Sequence, residues 1–195
     1  MPVRVDTRYW TVSYICPRVG LTIKSVGRQA HVPKAVTFAT KPELARRMLE
    51  RTLDSGLPVA WVTGDTVYGS AQPLRADLEA RKQAYALAVA CKEYVEVQGS
   101  RKRVDQIAHG LAREDWQELS AGTGSKGPRL FKWARIELAA PEMPGWQRWL
   151  LVRRGLDEGA NSAEIAYVLV FAPDFHPFDE DGGGFWCALD RGAML

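Results

Sequence analysis

Asp65 is the residue of this sequence whose type and position are best suited to chemistry. It follows an apolar run at residues 58–63 and lies in the turn from Gly64 to Gly69. In open α/β sheets, catalytic groups gather at the carboxyl ends of strands. A carboxylate there can hold a divalent metal, but metal-assisted cleavage of a phosphodiester needs several converging carboxylates. An Asp can equally cap or shape a turn, so both interpretations stay open from the residues alone.

Other groups of reactive residues do not have the spacing that their chemistry requires. The run at residues 122–127 lacks the Gly-Lys-Ser/Thr order of a phosphate loop and predicts a flexible basic loop instead. His176 and the acids at 179–181 are typical of a solvated tail rather than a metal site. No Ser-His-Asp set can be argued. The three cysteines (Cys16, Cys91 and Cys187) are too far apart along the chain to indicate a disulfide framework or a zinc knuckle.

Positive charge is concentrated between residues 126 and 154, a segment with seven cationic and two acidic residues. Three tryptophans lie in the same segment, whereas residues 174–195 carry five acids and one arginine. A basic, aromatic-rich segment suits a DNA backbone and unstacked bases. It is equally typical of a sheet with one solvated face and tryptophans in its core, and the residues do not decide between the two. The candidate DNA-binding residues are Lys126, Arg129, Lys132, Arg135, Arg153 and Arg154.

Composition indicates a globular cytoplasmic protein. The chain has 195 residues, of which 46% are hydrophobic and 25% charged, enough for a buried core. No apolar run approaches the roughly 20 residues that span a bilayer. The N-terminus mixes charged and apolar residues and does not resemble a signal peptide.

Residues 40–90 predict alternating helices and strands. Thr40 and Glu43 form a capping box, Pro42 lies in the first turn, and Gly56 ends the helix. A buried central strand follows at 58–63, then a helix at 73–82 with Leu74 and Leu78 on one face, then a second buried strand at 85–90. This order favours an α/β fold with parallel pairing.

The pattern changes after Cys91. A helix is predicted at 101–113, followed by strands at 130–138, 149–153 and 164–171. Turn-rich stretches at 121–128 and 141–145 separate these segments. The second half therefore predicts a β-rich block attached to the α/β part.

Several strings together resemble a known family. These are FATKPELA from residue 38, WVTGDTVYG from residue 61, LRADLE from residue 74, AGTGSKGPRL from residue 121, WLLVRR from residue 149 and IAY from residue 165. In this order they are similar to the middle of bacterial insertion-sequence transposases of the DDE (RNase H-like) superfamily. The resemblance spans roughly residues 27–173, most of the chain.

The resemblance implies an α/β fold in which an incomplete RNase H-like core is interrupted by a β-rich insertion. It divides the chain into a poorly assignable segment 1–30, a partial core 31–95, an insertion with the basic segment 96–173 and a divergent acidic tail 174–195. Asp65 would be the second acid of the metal-binding triad and a ligand of Mg²⁺, with Tyr68 and Gly69 in the turn that aims it. Two metals would activate the attacking oxygen and stabilise the leaving oxygen during strand cleavage and transfer. The implied partners are transposon ends and target DNA.

The sequence also departs from the family. Thr66 stands where the family usually has Glu beside the Asp. The first triad acid should precede the helix at Thr40, but Asp6 is the one acid there and its surroundings do not resemble that motif. The third triad acid should be a Glu on a helix, but Glu180 lies in a Gly-rich acidic run. We therefore expect an internal fragment that lacks the first and third acids and is inactive as an endonuclease. The alternative is a non-catalytic DNA-binding protein that modulates an intact transposase. In either case the expected protein partner is a second copy of the chain or an intact transposase, and no membrane is expected. A third hypothesis is an α/β interaction domain that binds no DNA.

Overall fold

The computed structural model of the chain describes residues 39–124, 127–156 and 165–173. Two compact units divide the chain, Met1–Pro58 and Val59–Leu195. The described helices are α1 (Lys41–Asp54), α2 (Thr66–Gly69), α3 (Gln72–Ala80) and α4 (Val104–His109), with a 3₁₀ turn at Arg113–Asp115. The described strands are β1 (Val62–Gly64), β2 (Tyr85–Val89), β3 (Tyr94–Val97), β4 (Ser100–Arg103), β5 (Gln117–Gly124), β6 (Gly127–Glu137), β7 (Trp146–Arg154) and β8 (Ala166–Pro173).

Helix α1, in the first unit, begins and ends as its sequence predicts. The Thr40 side chain accepts from the Glu43 N–H at 3.4 Å, and the Thr40 N–H donates to Glu43 Oε2 at 2.6 Å, which completes the capping box. The hydrogen bonds that the Thr40 N–H and the Thr40 hydroxyl donate to the Glu43 carboxylate lower the pKa of that carboxyl. Ser55 closes the last turn, and Gly56 then takes a left-handed conformation with φ +75°.

The second unit is built on one six-stranded sheet with the order β1-β2-β8-β7-β6-β5. Strands β1 and β2 run parallel, as predicted, and every other pairing is antiparallel. Strand β8 lies between β2 and β7 and thereby joins the two halves of the sequence. Most of β8 is buried, since Val168, Val170, Phe171 and Ala172 are each at most 1% exposed.

Each face of the sheet carries part of the core. One face presents an aromatic and aliphatic cluster that includes Trp133, Trp149, Leu151, Val168 and Val170, with Trp61 and Phe131 packed against it. The opposite face carries Tyr85 and Phe171, whose rings stack at 5.7 Å. Helix α3 lies on that second face. Its residues Leu74 and Leu78 are each 2% exposed, and its Glu79 carboxylate accepts a hydrogen bond from the Tyr85 hydroxyl.

A separate two-stranded sheet is formed by β3 and β4. It is an antiparallel hairpin in which Tyr94 lies opposite Arg103, and Val97 opposite Ser100. Gln98 and Gly99 form its turn with φ values of +50° and +71°, the backbone that a two-residue hairpin with properly twisted strands requires.

Several sequence expectations need correction. The run at 58–63 is not a central strand in the described sheet, because β1 covers Val62–Gly64 at one end of the strand order. Trp61 precedes this strand and packs on the core. The helix expected at 101–113 is confined to Val104–His109, because residues 100–103 pair with β3 instead. The turn expected at 121–128 is shorter, since β5 extends to Gly124 and β6 starts at Gly127. Strand β5 was not predicted.

The remaining elements agree with expectation or are untested. Helix α3 and strands β2, β6, β7 and β8 lie where helices and strands were predicted, and the chain turns at residues 141–145. The structure does not confirm a β-rich insertion, because β8 pairs directly with β2 in one sheet. The segment 1–30 and the tail 174–195 lie outside the described residues. None of the described helices has the length and apolar character needed to cross a membrane.

Candidate functional site

Asp65 lies where β1 ends and α2 begins. Its side chain caps the helical turn, because Oδ1 accepts from the Val67 N–H at 2.9 Å. The Asp65 carbonyl also accepts from the N–H groups of Tyr68 and Gly69, at 3.1 and 2.9 Å. The residue is exposed to solvent. The capping role that the sequence allowed is therefore present, and the carboxylate lies at the carboxyl end of a parallel strand.

The turn that carries Asp65 is held close against β2. A Cβ atom at Gly69 would lie 1.8 Å from the Ala88 carbonyl oxygen, so only glycine allows this approach. Arg75 of α3 reinforces the contact by donating to the Gly69 carbonyl and to Glu93 Oε1, the latter at 3.1 Å. Both side chains of this ion pair are mostly buried, 14% and 20% exposed. The backbone beside Asp65 is thereby tied to α3 and to the segment after β2.

Within the described ranges, Asp65 belongs to no set of three or more converging metal ligands. No group of three or more His, Cys, Asp or Glu side chains there could hold a metal ion. A two-metal phosphodiester mechanism needs such a group. The residues that the structure describes therefore do not fit a Mg²⁺ pair, and no metal-dependent step follows from them. Asp6 and Glu180, the acids considered as partners from the sequence, lie outside the described residues.

Glu79, Tyr85 and Arg148 form a cluster that the sequence did not indicate. The Tyr85 hydroxyl donates to Glu79 Oε1 at 2.7 Å, and Arg148 donates to both Glu79 oxygens at 3.2 and 2.5 Å. Burial, together with the nearby Glu79 charge, raises the pKa of the Tyr85 hydroxyl well above 10. The hydrogen bond to Glu79 likewise raises the pKa of Arg148. The cluster borders a cavity of about 420 Å³, but both carboxylate oxygens already have donors, so its role is to join α3, β2 and β7.

The candidate DNA-binding residues are divided between the two faces of the sheet. Lys132 and Arg154 are cross-strand partners on one face. Strand alternation places Arg129, Arg135 and Arg153 on the opposite face. There Arg153 covers the ring of Phe131 at 4.4 Å. Lys126 lies outside the described residues.

Lys132 and Arg154 line a cleft of about 400 Å³ together with Arg113, Trp116 and Glu118. The Arg154 guanidinium lies 4.0 Å from the centre of the Trp116 ring, a cation–π contact. Arg154 Nε is buried and has no hydrogen-bond partner among the described residues. With three cations and one acid the cleft is net positive. The sequence missed Arg113 and Trp116, because the expected helix placed Arg113 away from any strand.

The tryptophans of the basic segment belong to the core rather than to a binding surface. Trp133 is fully buried and Trp149 is 4% exposed. Trp146 stacks on Phe171 with the ring centres 4.6 Å apart. Of the two interpretations left open by the sequence, the tryptophans follow the core interpretation, while Lys132 and Arg154 remain candidates for contact with DNA.

Comparison with known proteins adds the family. A family model described as DDE superfamily endonuclease matches residues 10–112, more than half of the chain and including Asp65. No curated protein matches the sequence. The mixed α/β architecture, with its sheet core, is compatible with an RNase H-like fold. The chain belongs to the DDE superfamily of endonucleases.

Proposed function

We propose that this chain acts on DNA as a transposase-type member of its family. Its proposed role belongs to the movement of an insertion sequence. The observation that carries the proposal is the position of Asp65 within the matched segment, with an exposed carboxylate at the carboxyl end of a parallel strand. Endonucleases of this family typically use a divalent metal. Asp65 is proposed as one of the carboxylates that would serve such a metal, Mg²⁺.

We also propose that the chain does not cleave DNA by itself. Two-metal cleavage requires converging carboxylates, and the sequence around Asp6 and Glu180 does not resemble the motifs that would supply them. In this proposal the chain keeps its fold and its affinity for DNA but lacks a complete set of acids.

A plasmid-nicking assay tests the proposed inactivity. Purified chain is incubated with supercoiled plasmid and Mg²⁺ or Mn²⁺, beside the variant Asp65→Asn and a chelator control. We expect the rate of nicking by the wild-type chain to equal that of Asp65→Asn. Metal-dependent nicking that disappears in Asp65→Asn would show a complete active site and refute the inactivity. Nicking that persists in the variant would indicate a contaminating nuclease.

A second function is favoured by the cleft of Lys132, Arg154 and Trp116, namely DNA binding that modulates an intact transposase. Charge-assisted contacts with phosphates make such binding salt-dependent. The test adds this chain to a strand-transfer reaction of an intact transposase from the same family. We expect less product as the chain is added, and no effect of the chain would count against modulation. An absence of DNA binding even at low salt would favour an interaction domain instead.

A further inference from the structure

The hairpin of β3 and β4, residues 94–103, is a basic ribbon that neither the resemblance nor the family match explains. Its second strand, Ser100-Arg101-Lys102-Arg103, has three consecutive cations, whereas Glu96 is the acid of the hairpin. Residues 98–102 are all exposed. The two strands form their own sheet rather than an edge of the six-stranded one.

The base of the ribbon is held firmly. Val95 is 7% exposed and Val104, directly after β4, is fully buried. The Val104 N–H donates to the Glu93 carbonyl at 2.9 Å, and the Ala139 N–H donates to the Glu96 carbonyl at 3.0 Å. The tip is free of such contacts: a Cβ atom at Gly99 would have no atom within 4 Å. The hairpin is therefore anchored along β3 as far as Glu96, and its turn at Gln98 and Gly99 is open.

The cations lie on both sides of this ribbon. The register places Arg101 opposite Glu96, and Lys102 opposite Val95, so the side chains of Arg101 and Lys102 leave opposite faces. The Arg101 guanidinium carbon lies 5.1 Å from the centre of the Tyr94 ring. The Arg103 guanidinium donates a hydrogen bond to the Asp105 carboxylate. A DNA groove has phosphates on both of its walls, so it can meet cations on both faces of the ribbon. A flat acidic protein surface would meet the cations of one face alone.

We propose that the open turn of the basic ribbon enters the major groove of duplex DNA, with Arg101 and Lys102 contacting the phosphates of opposite walls. Paired strands lie about 4.8 Å apart, and the major groove, about 12 Å wide, admits a two-stranded ribbon. This inference rests on the proposed function, since it names the form of DNA and a surface that binds it. It adds a second contact region to the cleft of Lys132 and Arg154.

The experiment measures fluorescence anisotropy of a short labelled duplex with wild-type chain, Arg101→Ala, Lys102→Ala and Lys102→Arg. Arg47→Ala is the matched control, because it removes the same charge from an exposed position of α1. Each alanine variant in the ribbon should weaken binding about tenfold at ~50 mM salt and reduce the slope of log affinity against log salt by about one. Lys102→Arg should bind as the wild type does.

Two further measurements keep the test decisive. Glu96→Gln, which removes the acid beside Arg101, should tighten binding. Methyl green, which occupies the major groove, should displace the chain more readily than netropsin, which occupies the minor groove. If the wild-type chain binds duplex but ribbon variants behave as Arg47→Ala does, the ribbon inference is wrong and DNA binding stands. If the wild-type chain binds no duplex at low salt, both the inference and the proposed DNA binding fail.

Discussion

Gly69 determines how closely the backbone after Asp65 approaches the sheet. Sequence alone showed a turn here, and its resemblance to transposases assigned Tyr68 and Gly69 to aiming the acid. The structure adds the reason for glycine, because the Ala88 carbonyl oxygen occupies the space of a side chain. The aim of Asp65 toward a metal stays a prediction, since its described hydrogen bond is the cap to Val67.

Gly69→Ala should destabilise the chain. The added Cβ would lie 1.8 Å from the Ala88 oxygen, so the turn must move away from β2. Overpacking of this kind lowers the free energy of unfolding by about 1–3 kcal/mol. We expect a loss near the upper end of that range, because the crowded atom belongs to the backbone. The free energy of unfolding from urea titration measures it. Gly110→Ala is the control: the nearest atoms lie at 3.5 and 3.7 Å, so its effect should stay within about 0.5 kcal/mol.

Helix α3 is joined to the sheet by the contacts of Glu79 with Tyr85 and Arg148. These three residues come from α3, β2 and β7, and no local sequence pattern connects them. Tyr85 is 2% exposed, so its hydroxyl must have a partner inside the protein. Glu79 supplies that partner and is itself neutralised by Arg148.

This contact predicts a loss of stability at alkaline pH. The pKa of Tyr85 in the folded chain is raised well above 10 by burial and by the Glu79 charge. Above pH 10 the unfolded chain therefore loses this proton while the folded chain keeps it. The Tyr85 contribution is fully present below pH 10 and is lost as pH rises toward the folded value.

Urea titrations between pH 7 and 11 check the sign. The free energy of unfolding of Tyr85→Phe should be about 1 kcal/mol lower than that of the wild type at pH 7, the value of one hydrogen bond. Above pH 10 this free energy should fall less steeply with pH in the variant than in the wild type. Tyr94→Phe, at a ring that is 48% exposed, should follow the wild-type curve. Parallel curves for wild type and Tyr85→Phe above pH 10 would contradict the assignment.

The elements differ in how much local sequence determines them. Helix α1 was predicted from Thr40 and Glu43 because a capping box acts within one turn. The hairpin β3–β4 was not, because Arg101 to Arg113 has apolar residues at helical spacing. Cross-strand pairing and the left-handed pair Gln98 and Gly99 prevailed over that pattern.

Strand β8 joins the two halves of the second unit in one six-stranded sheet. Because it pairs with β2 on one side and β7 on the other, the α/β half and the β-rich half share a core. The two sheet faces then separate the basic residues that the sequence grouped together. Lys132 and Arg154 meet Arg113 in the cleft, whereas Arg135 and Arg153 lie on the face of the tryptophan cluster.

DNA should therefore contact one face more than the other. The double variant Lys132→Ala with Arg154→Ala should lower the salt slope of DNA binding by about two, one for each lost phosphate contact. Arg135→Ala with Arg153→Ala removes the same charge from the opposite face and should change the slope less. Anisotropy titrations over a series of salt concentrations make the comparison. Equal changes would mean that long-range charge, not the cleft, attracts DNA.

The strands and helices with strong local signals were evident from the order of residues. The capping box at Thr40, the apolar face of Leu74 and Leu78, and the runs that became β2, β7 and β8 all depend on neighbours within a few positions. Such short-range signals need no knowledge of the fold. The strings around Asp65 likewise pointed to the family, because recognition depends on residue order.

Contacts between distant residues could be known only from the folded chain. Glu79 meets Arg148 across 69 positions, and β8 enters between β2 and β7, because burial of apolar strands selects these pairings over many alternatives. The end position of β1 in the described sheet and the cleft beside Trp116 belong to the same class. A periodic pattern shows which face of a strand is apolar, but the complete packed core determines which strand it meets.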